Sequence, residues 1–551
     1  MRQYIVVFLL LAFAAVAFPA SHAGAQRYFS DHYYIPPPEE EPESTEKALR
    51  DRRYPLPEAT ARAWLARQKP RYVVEEVDVD STEMKQFFDE APPHQVAINR
   101  PINVEAAELF DGAVTDGGAQ VYLAWLSSPG AYALRLRVNT MGLRPGERLW
   151  LLDAEGAATF GPYTVDNAKA DGQWLPPTIG DAVALALTTP ENTLPLMVVT
   201  DAAHFYKPII AKELPPPLSC NIPIAQESNR TAQEITAGVG RMLIPYSNGQ
   251  GLCTATLLNS FKTVSGAPAP YIISAWHCFG DDVNYDGLTV FWDYRSDTGN
   301  TNDVPDLYDS DYNTGAKLID NSFVLDSALL ELKSQVSVGP YGRAWAGWDS
   351  QAPGQADATQ VIHHPLGADM KTSRGRITNP ETNICMNLTC RLQYEKQIEV
   401  LWSDGVTEQG SSGSALLIKD NNYRIAGVLS NGNTHRCDDT SNNFDNFGPF
   451  HAFFPQIGCY LVNGYTCAPP YEPESSGCFL FRKMKLNVET LGHLRTFRDE
   501  VLGKSAFGRN IVQNYYLHTG ELEQWIDTGR YARPLFECLL SIGATWGALA
   551  Q

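Results

Sequence analysis

The sequence predicts a mainly β protein: a β-sandwich, then a larger all-β unit, then a small α-helical tail. Three observations lead there. Residues 95–210 and 239–461 are dense in short apolar runs separated by Gly, Asn and Asp, the pattern of strands and turns. Proline blocks stand ahead of each β unit, at Ile35–Lys47 and Lys212–Pro217, where a core cannot form. Beyond Cys478 the apolar spacing changes to a helical period. A length of 551 residues exceeds what one core holds, so several units are expected.

The N-terminus predicts export. Met1-Arg2 is a basic start, Tyr4–Phe18 is continuously apolar, and Ala23-Gly24-Ala25 fits a signal-peptidase site, giving a signal peptide over 1–25. The apolar run is short for a bilayer span of about 20 residues. A secreted, periplasmic or cell-surface protein is therefore expected. Residues 26–94 read as a Pro/Glu-rich linker and pro-region, in which the Ile35–Lys47 stretch of proline and glutamate cannot build a core.

The sandwich is assigned to 95–212. Ala133-Leu134-Arg135-Leu136-Arg137-Val138 alternates apolar and basic, as a half-buried strand does. Leu149–Leu152, Val183–Leu187 and Leu196–Val199 supply further strands, with Asp153–Gly156 a turn. No paired catalytic residues stand out there, which suits a structural or inhibitory role. The larger β unit covers 213–465. In the tail, 475–551, Leu491, Leu494, Phe497, Val501 and Leu502 recur at helical spacing. Pro534–Ala550 is apolar but contains Glu537, so membrane or surface association through an amphipathic helix is expected rather than a span.

Charge and cysteines narrow the chemistry. A net charge of −20 argues against a nucleic-acid partner. Ten cysteines in an exported chain read as disulfides. Neither C-x-x-C nor H-E-x-x-H occurs, so neither a metal site nor any cofactor is expected.

Three stretches carry chemistry. Tyr271–Cys278 (Y-I-I-S-A-W-H-C) is an apolar strand that delivers His277 at its end. Asp326–Leu332 (D-S-A-L-L-E-L) opens another buried strand with an acid. Gly410–Ser414 reads G-S-S-G-S. Singly, these are a strand-end histidine, a turn aspartate and a flexible loop. Together they provide what cleavage by an uncharged hydroxyl requires: a base, an acid that orients it, and donors for an oxyanion. The order His, Asp, Ser is one of those known for such triads. His277 is the expected base, Asp326 its orienter and Ser412 the nucleophile. The backbone N–H groups of Gly410 and Ser412 are the expected oxyanion hole, with Ser411 and Ser414 as structural neighbours.

The segment from about Ser219 to Tyr460 resembles the secreted trypsin-like serine proteases, and most closely the bacterial lysyl endopeptidases. The resemblance rests on Ser219-Cys220-Asn221-Ile222, C-T-A-T-L-L-N from Cys253, A-W-H-C around His277 and D-S-A-L-L-E-L from Asp326. It extends to W-A-G-W-D (Trp345–Asp349), V-I-H-H-P (Val361–Pro365) and G-V-T-E-Q-G-S-S-G-S (Gly405–Ser414). It implies a chymotrypsin-like double β-barrel and the same three triad roles.

The resemblance also bears on the pocket. Val406 stands where pancreatic trypsins carry their specificity acid. Lysyl endopeptidases use an acid downstream of the serine, followed by an aromatic and a glycine, which Asp445 in N-N-F-D-N-F-G matches. Asp404 and Asp438-Asp439 compete for that role. Ser430-Asn431-Gly432 replaces the family's histidine ahead of its glycines, and makes Ser430 and Gly432 candidate substrate-binding residues. The tryptophan that accompanies that histidine has no counterpart between Ile377 and Gln397, where a Cys385–Cys390 insertion stands.

The same likeness implies disulfides Cys253–Cys278 and Cys220–Cys437, with Cys459–Cys467 and Cys385–Cys390 paired by proximity. The sandwich, through Tyr122–Leu136, resembles the family's N-terminal pro-region and implies that the pro-domain is a partner, with self-cleavage near Lys212. The segment from Gly477 resembles a CFI-box tail of exported bacterial proteins. The expected function is a secreted serine endopeptidase that cuts protein or peptide substrates after Lys or other basic residues through an acyl-enzyme. The alternatives are the same protease with a different pocket preference, or an inactive protease-like binding or adhesion protein.

Overall fold

The computed structural model describes residues 26–38, 72–74 and, with short gaps, 95–468. The expected signal peptide and helical tail lie outside the described residues. The fold is mainly β.

The sandwich is set by side-chain size alternating along one strand. In Ala182–Thr189, Val183, Leu185 and Leu187 point into the core and pack with Leu134, Leu136 and Val138 of the opposite sheet. Ala184 and Ala186 face the other way and pack with Trp150 and Leu152. One sheet pairs Ala182–Thr189 with Ala119–Ser127 and Arg148–Asp153. The other pairs Leu196–Phe205 with Gln95–Glu105 and Ala133–Gly142.

That second sheet does not end at the sandwich. Gln95–Glu105 pairs antiparallel with Gly249–Leu257 of the next unit, with Ile98 opposite Gly249 and Ala97 opposite Gln250. The basic face of Ala133–Gly142 is covered at Arg135, while Arg137 stays partly exposed beside Asp201. Arg135 is fully buried against the neighbouring barrel. It donates to Leu175 O and Gln250 Oε1, both at 2.7 Å, to Gly287 O at 2.7 Å and to Thr289 Oγ1 at 2.8 Å. No carboxylate partner is among these contacts, and burial pulls its pKa down to about 9.

Two barrels follow. The first is a ring of Val239–Pro245, Gly249–Leu257, Tyr271–Ser274, Ser327–Leu332, Ala316–Ser322 with Tyr312–Thr314 running into it through Gly315, and Thr289–Trp292, which returns to Val239–Pro245. Only Thr256 and Leu257 reach Tyr271–Ser274, so the edge at Gly249–Gly251 stays open in the ring and is taken by the sandwich strand. The second closes through Arg424–Gly432, Ala415–Ile418, Ala358–His363, Lys371–Cys385, Gln393–Asp404 and Phe444–Pro449. A 12-residue helix, Phe450–Leu461, seals a core shared by both, with Phe450, Phe453, Phe454 and Ile457 against Trp348 and Leu329.

The leading region holds an element that its proline content concealed. Phe29–Ser30 pairs with Trp348–Asp349, and Tyr33–Ile35 pairs with Arg343–Trp345. Arg27 forms an ion pair with Asp349 at 2.5 Å, and His32 contacts Glu234 at 2.8 Å. Disulfides join Cys220 to Cys437, Cys253 to Cys278 and Cys459 to Cys467. Cys385 is also disulfide-bonded, while Cys390 lies outside the described residues.

Candidate active site

The candidate base stands at the end of the buried strand Tyr271–Ser274, where a turn at Trp276–Cys278 lifts His277 out of the sheet. The Cys253–Cys278 bond ties that turn to the adjacent strand. Asp326 precedes Ser327–Leu332, which pairs directly with Tyr271–Ser274. Its φ of +49° lies in the left-handed region, which aspartate tolerates better than most residues. The turn aims its carboxylate across the pair instead of along the strand.

Asp326 is fully buried and accepts three hydrogen bonds. Oδ1 takes the backbone N–H of His277 at 2.8 Å. Oδ2 takes His277 Nδ1 at 2.7 Å and Ser430 Oγ at 2.5 Å. With Nδ1–H on the carboxylate, Nε2 is left as the basic nitrogen. Burial disfavours the imidazolium, but the charge and hydrogen bond of Asp326 outweigh it, so the His277 pKa is raised above its ordinary value.

Ser412 is carried on a loop that both barrels grip. Its carbonyl accepts from Thr254 N–H at 2.9 Å. Gly413 N–H donates to Leu429 O at 2.9 Å, and Leu429 N–H to Ser414 O at 2.8 Å, next to Ser430. Gly413, at φ +82°, lies so close to the strand of His277 that a Cβ would come 1.9 Å from Ser274 Oγ. Only glycine fits there. The serine preceding it is thus held at the seam where the His277–Asp326 pair sits. Gly410 has φ +86°, and its carbonyl is fixed by Thr254 Oγ1 at 2.9 Å. Among the described residues no backbone carbonyl takes the N–H of Gly410 or Ser412. Neither donor is thus spent on a backbone carbonyl.

Ser411 and Ser414 are buried. Ser411 lies 2.7 Å from His363 Nδ1, whose Nε2 lies 3.1 Å from Ser373 Oγ. Ser373 donates to Val406 O at 2.7 Å, so Nε2 carries the hydrogen and Ser411 donates to Nδ1. Burial holds His363 neutral, with its pKa pulled down to about 3. Glu408 accepts Leu218 N–H at 2.9 Å and Asn221 Nδ2 at 2.7 Å, which fastens the segment around Cys220 to the same loop.

Of the candidate pocket acids, Asp404 and Asp438 have side chains 59% and 71% exposed, whereas that of Asp445 is 2% exposed. Asp445 faces Gly432 across the strand pair, so closely that a Cβ on Gly432 would lie 1.8 Å from Oδ1. Its Oδ2 accepts Trp402 Nε1 and Thr407 Oγ1, each at 2.5 Å. Its Oδ1 lies 3.0 Å from His435 Nε2.

Sequence reasoning missed Trp402, Thr407 and His435 as partners of Asp445, and His363 and Glu408 as supports of the serine loop. Trp402 lies on the strand paired with Asp445, just beyond the Ile377–Gln397 stretch. Two residues separate it from Gly405, where the G-V-T-E motif begins, and that spacing was the available signal.

Sequence comparison with known proteins supports the assignment of class. Residues 218–448 match the family described as lysyl endopeptidase, C-terminal domain. A lysyl endopeptidase from Pseudomonas aeruginosa is 28% identical over 360 residues, covering 61% of this chain and 74% of the relative. Among solved structures, the active form of a protease from M. tuberculosis matches with a TM-score of 0.29 and 13% identity, covering 48% of this chain and 94% of its own. An inactive form gives 0.28 and 12%, covering 42% and 93%.

Proposed function

We propose that this chain, a lysyl endopeptidase-like serine protease, is an exported endopeptidase that uses Ser412, His277 and Asp326 to cut after lysine or other basic residues. The observation that carries the mechanism is the buried Asp326 fixing His277 at 2.7 Å beside a serine loop gripped by both barrels.

His277 Nε2 takes the proton of Ser412 Oγ as the oxygen attacks the peptide carbonyl carbon. The carbonyl oxygen becomes an oxyanion that accepts from Gly410 and Ser412 N–H. The imidazolium, stabilised by Asp326, gives its proton to the amide nitrogen. The C–N bond breaks and an ester on Ser412 remains. Water then repeats the sequence, releasing the acid and restoring the hydroxyl. Ser430 supports Asp326 with a further hydrogen bond.

Asp445 supplies the charge for a basic substrate side chain, beside Gly432 on the candidate substrate-binding strand. The sandwich over 95–212 acts as a pro-domain, docked on the first barrel through Arg135 and the Gln95–Glu105 pairing. Cleavage occurs near Lys212, and the Cys220–Cys437 bond keeps the new N-terminal segment attached. Disulfides on both barrels suit an oxidising compartment.

The test is a peptide-library digest read by mass spectrometry, with purified Ser412→Ala as control. Cuts after Lys and Arg that vanish in the variant support the reading. Cleavage that persists in the variant rules out Ser412, and cuts without basic preference at every pH from 7 to 10 rule out the pocket assignment.

A further inference from the structure

The carboxylate that would receive a substrate's ammonium is already occupied. His435 Nε2 lies 3.0 Å from Asp445 Oδ1, and both side chains are almost wholly buried, 5% and 2% exposed. The other ring nitrogen, Nδ1, lies 2.6 Å from the carbonyl oxygen of Thr407. Phe444 O is 3.4 Å from Nε2. The two carbonyl oxygens have no hydrogen to give, nor has a carboxylate. Against a carboxylate on one side and a carbonyl on the other, the ring carries hydrogens on both nitrogens as an imidazolium. The second oxygen of Asp445 is taken by Trp402 and Thr407.

The geometry points to His435 as a resident cation on the pocket carboxylate, which stands in for a substrate ammonium and suppresses selectivity for basic side chains until it loses its proton. This rests on the reading of Asp445 as the pocket acid.

The charged and titratable groups facing His435 are Asp445, Glu408 and His363. His363 is kept neutral by burial, and Glu408 lies on the serine loop. Arg436, next in sequence, turns outward to Asp438 at 2.7 Å. Burial works against the imidazolium, but the hydrogen bond and charge of Asp445, with the Thr407 and Phe444 carbonyls, outweigh it and raise the pKa to about 9. Below that value the Asp445–His435 pair is close to neutral overall. Above it the imidazolium is gone and no resident cation faces Asp445. A lysine side chain, with an ordinary pKa of about 10.4, still carries its proton there. The window for enhanced selectivity opens as pH rises through about 9 and closes as the substrate itself deprotonates.

The experiment compares kcat/KM for matched peptides with lysine or norleucine at the cleavage position. Norleucine keeps lysine's carbon chain and lacks the ammonium. The purified, processed enzyme is measured from pH 7 to 10, with active sites counted by fluorophosphonate titration. The lysine-to-norleucine ratio should rise about tenfold across that range in the unaltered enzyme. His435→Asn should show the raised ratio already at pH 7 and no further rise before lysine deprotonates. Asp445→Asn should bring the ratio down in either background. A ratio that stays flat in the unaltered enzyme overturns the inference, as does a rise that survives His435→Asn. If Asp445→Asn leaves the ratio unchanged, the pocket reading itself fails. Should His435→Asn yield no titratable sites, the pH series on the unaltered enzyme decides alone.

Discussion

Asp326 and Asp445 are both buried carboxylates set against an imidazole, at 2.7 and 3.0 Å, yet the two pairs serve different ends. His277 is 25% exposed on its side chain, with Nδ1 bound to Asp326 and Nε2 as its basic nitrogen. His435 is 5% exposed and meets oxygen acceptors at both nitrogens. A histidine that must exchange a proton needs one nitrogen that can lose it cheaply. A histidine that holds a fixed charge needs acceptors all round. One strand, Arg424–Gly432, and its partner Phe444–Pro449 serve both pairs, because Ser430 reaches Asp326 while Gly432 lies against Asp445.

The largest expected effect falls on the first pair. Ser412→Ala should lower kcat/KM by a factor of about 10⁶, and Asp326→Asn by about 10⁴. Steady-state hydrolysis of a lysine peptide measures both. A loss under tenfold for Asp326→Asn would break the distinction between the pairs. In the unaltered enzyme His277 must be neutral to act, and its pKa is raised. The acid limb of kcat/KM should therefore lie above about 6.5, the ordinary histidine value.

Acid stability comes next and concerns histidines with no acid beside them. His363 and His364 are buried neutral, each with a pKa near 3. Below about 6.5 the unfolded chain binds protons that the folded one refuses, so stability present above that pH is lost as pH falls towards about 3. Denaturant unfolding of Ser412→Ala, which cannot digest itself, should show a loss of several kcal/mol between pH 6.5 and 4. A flat profile would contradict the buried neutral state.

His435 predicts the opposite sign. Its folded pKa is raised to about 9, so its contribution is complete below about 6.5 and disappears as pH rises through 9. The same assay should lose up to about 3 kcal/mol between pH 7 and 10, and this step should be missing in His435→Asn. Arg135 sharpens the contrast as a buried cation served only by neutral acceptors. Arg135→Met should weaken docking of the sandwich by about 1–3 kcal/mol, seen as separation of its unfolding from that of the barrels.

How much of this could be read from the sequence depends on whether a residue's role is local. The candidate triad could be assembled from the sequence because strand, turn and glycine signals surround each member within a few residues. Gly413 shows why, since its closeness to Ser274 forbids a side chain and so fixes the motif. His435 was not legible, because its partner is set by the hairpin register that places Gly432 opposite Asp445. Alternation in Ala133–Gly142 revealed two faces but not that a second unit covers the basic one at Arg135. The leading strands Phe29–Ser30 and Tyr33–Ile35 were masked by their proline-rich surroundings and gain stability only from pairing with Trp348–Asp349 and Arg343–Trp345.

The most direct measurement is fluorophosphonate labelling of the purified protein, followed by peptide mapping. A single adduct on Ser412, abolished by His277→Ala, is the expected result. No adduct, or one on Ser411 or Ser414 instead, would contradict the assignment of the nucleophile and leave the barrels as a scaffold for binding.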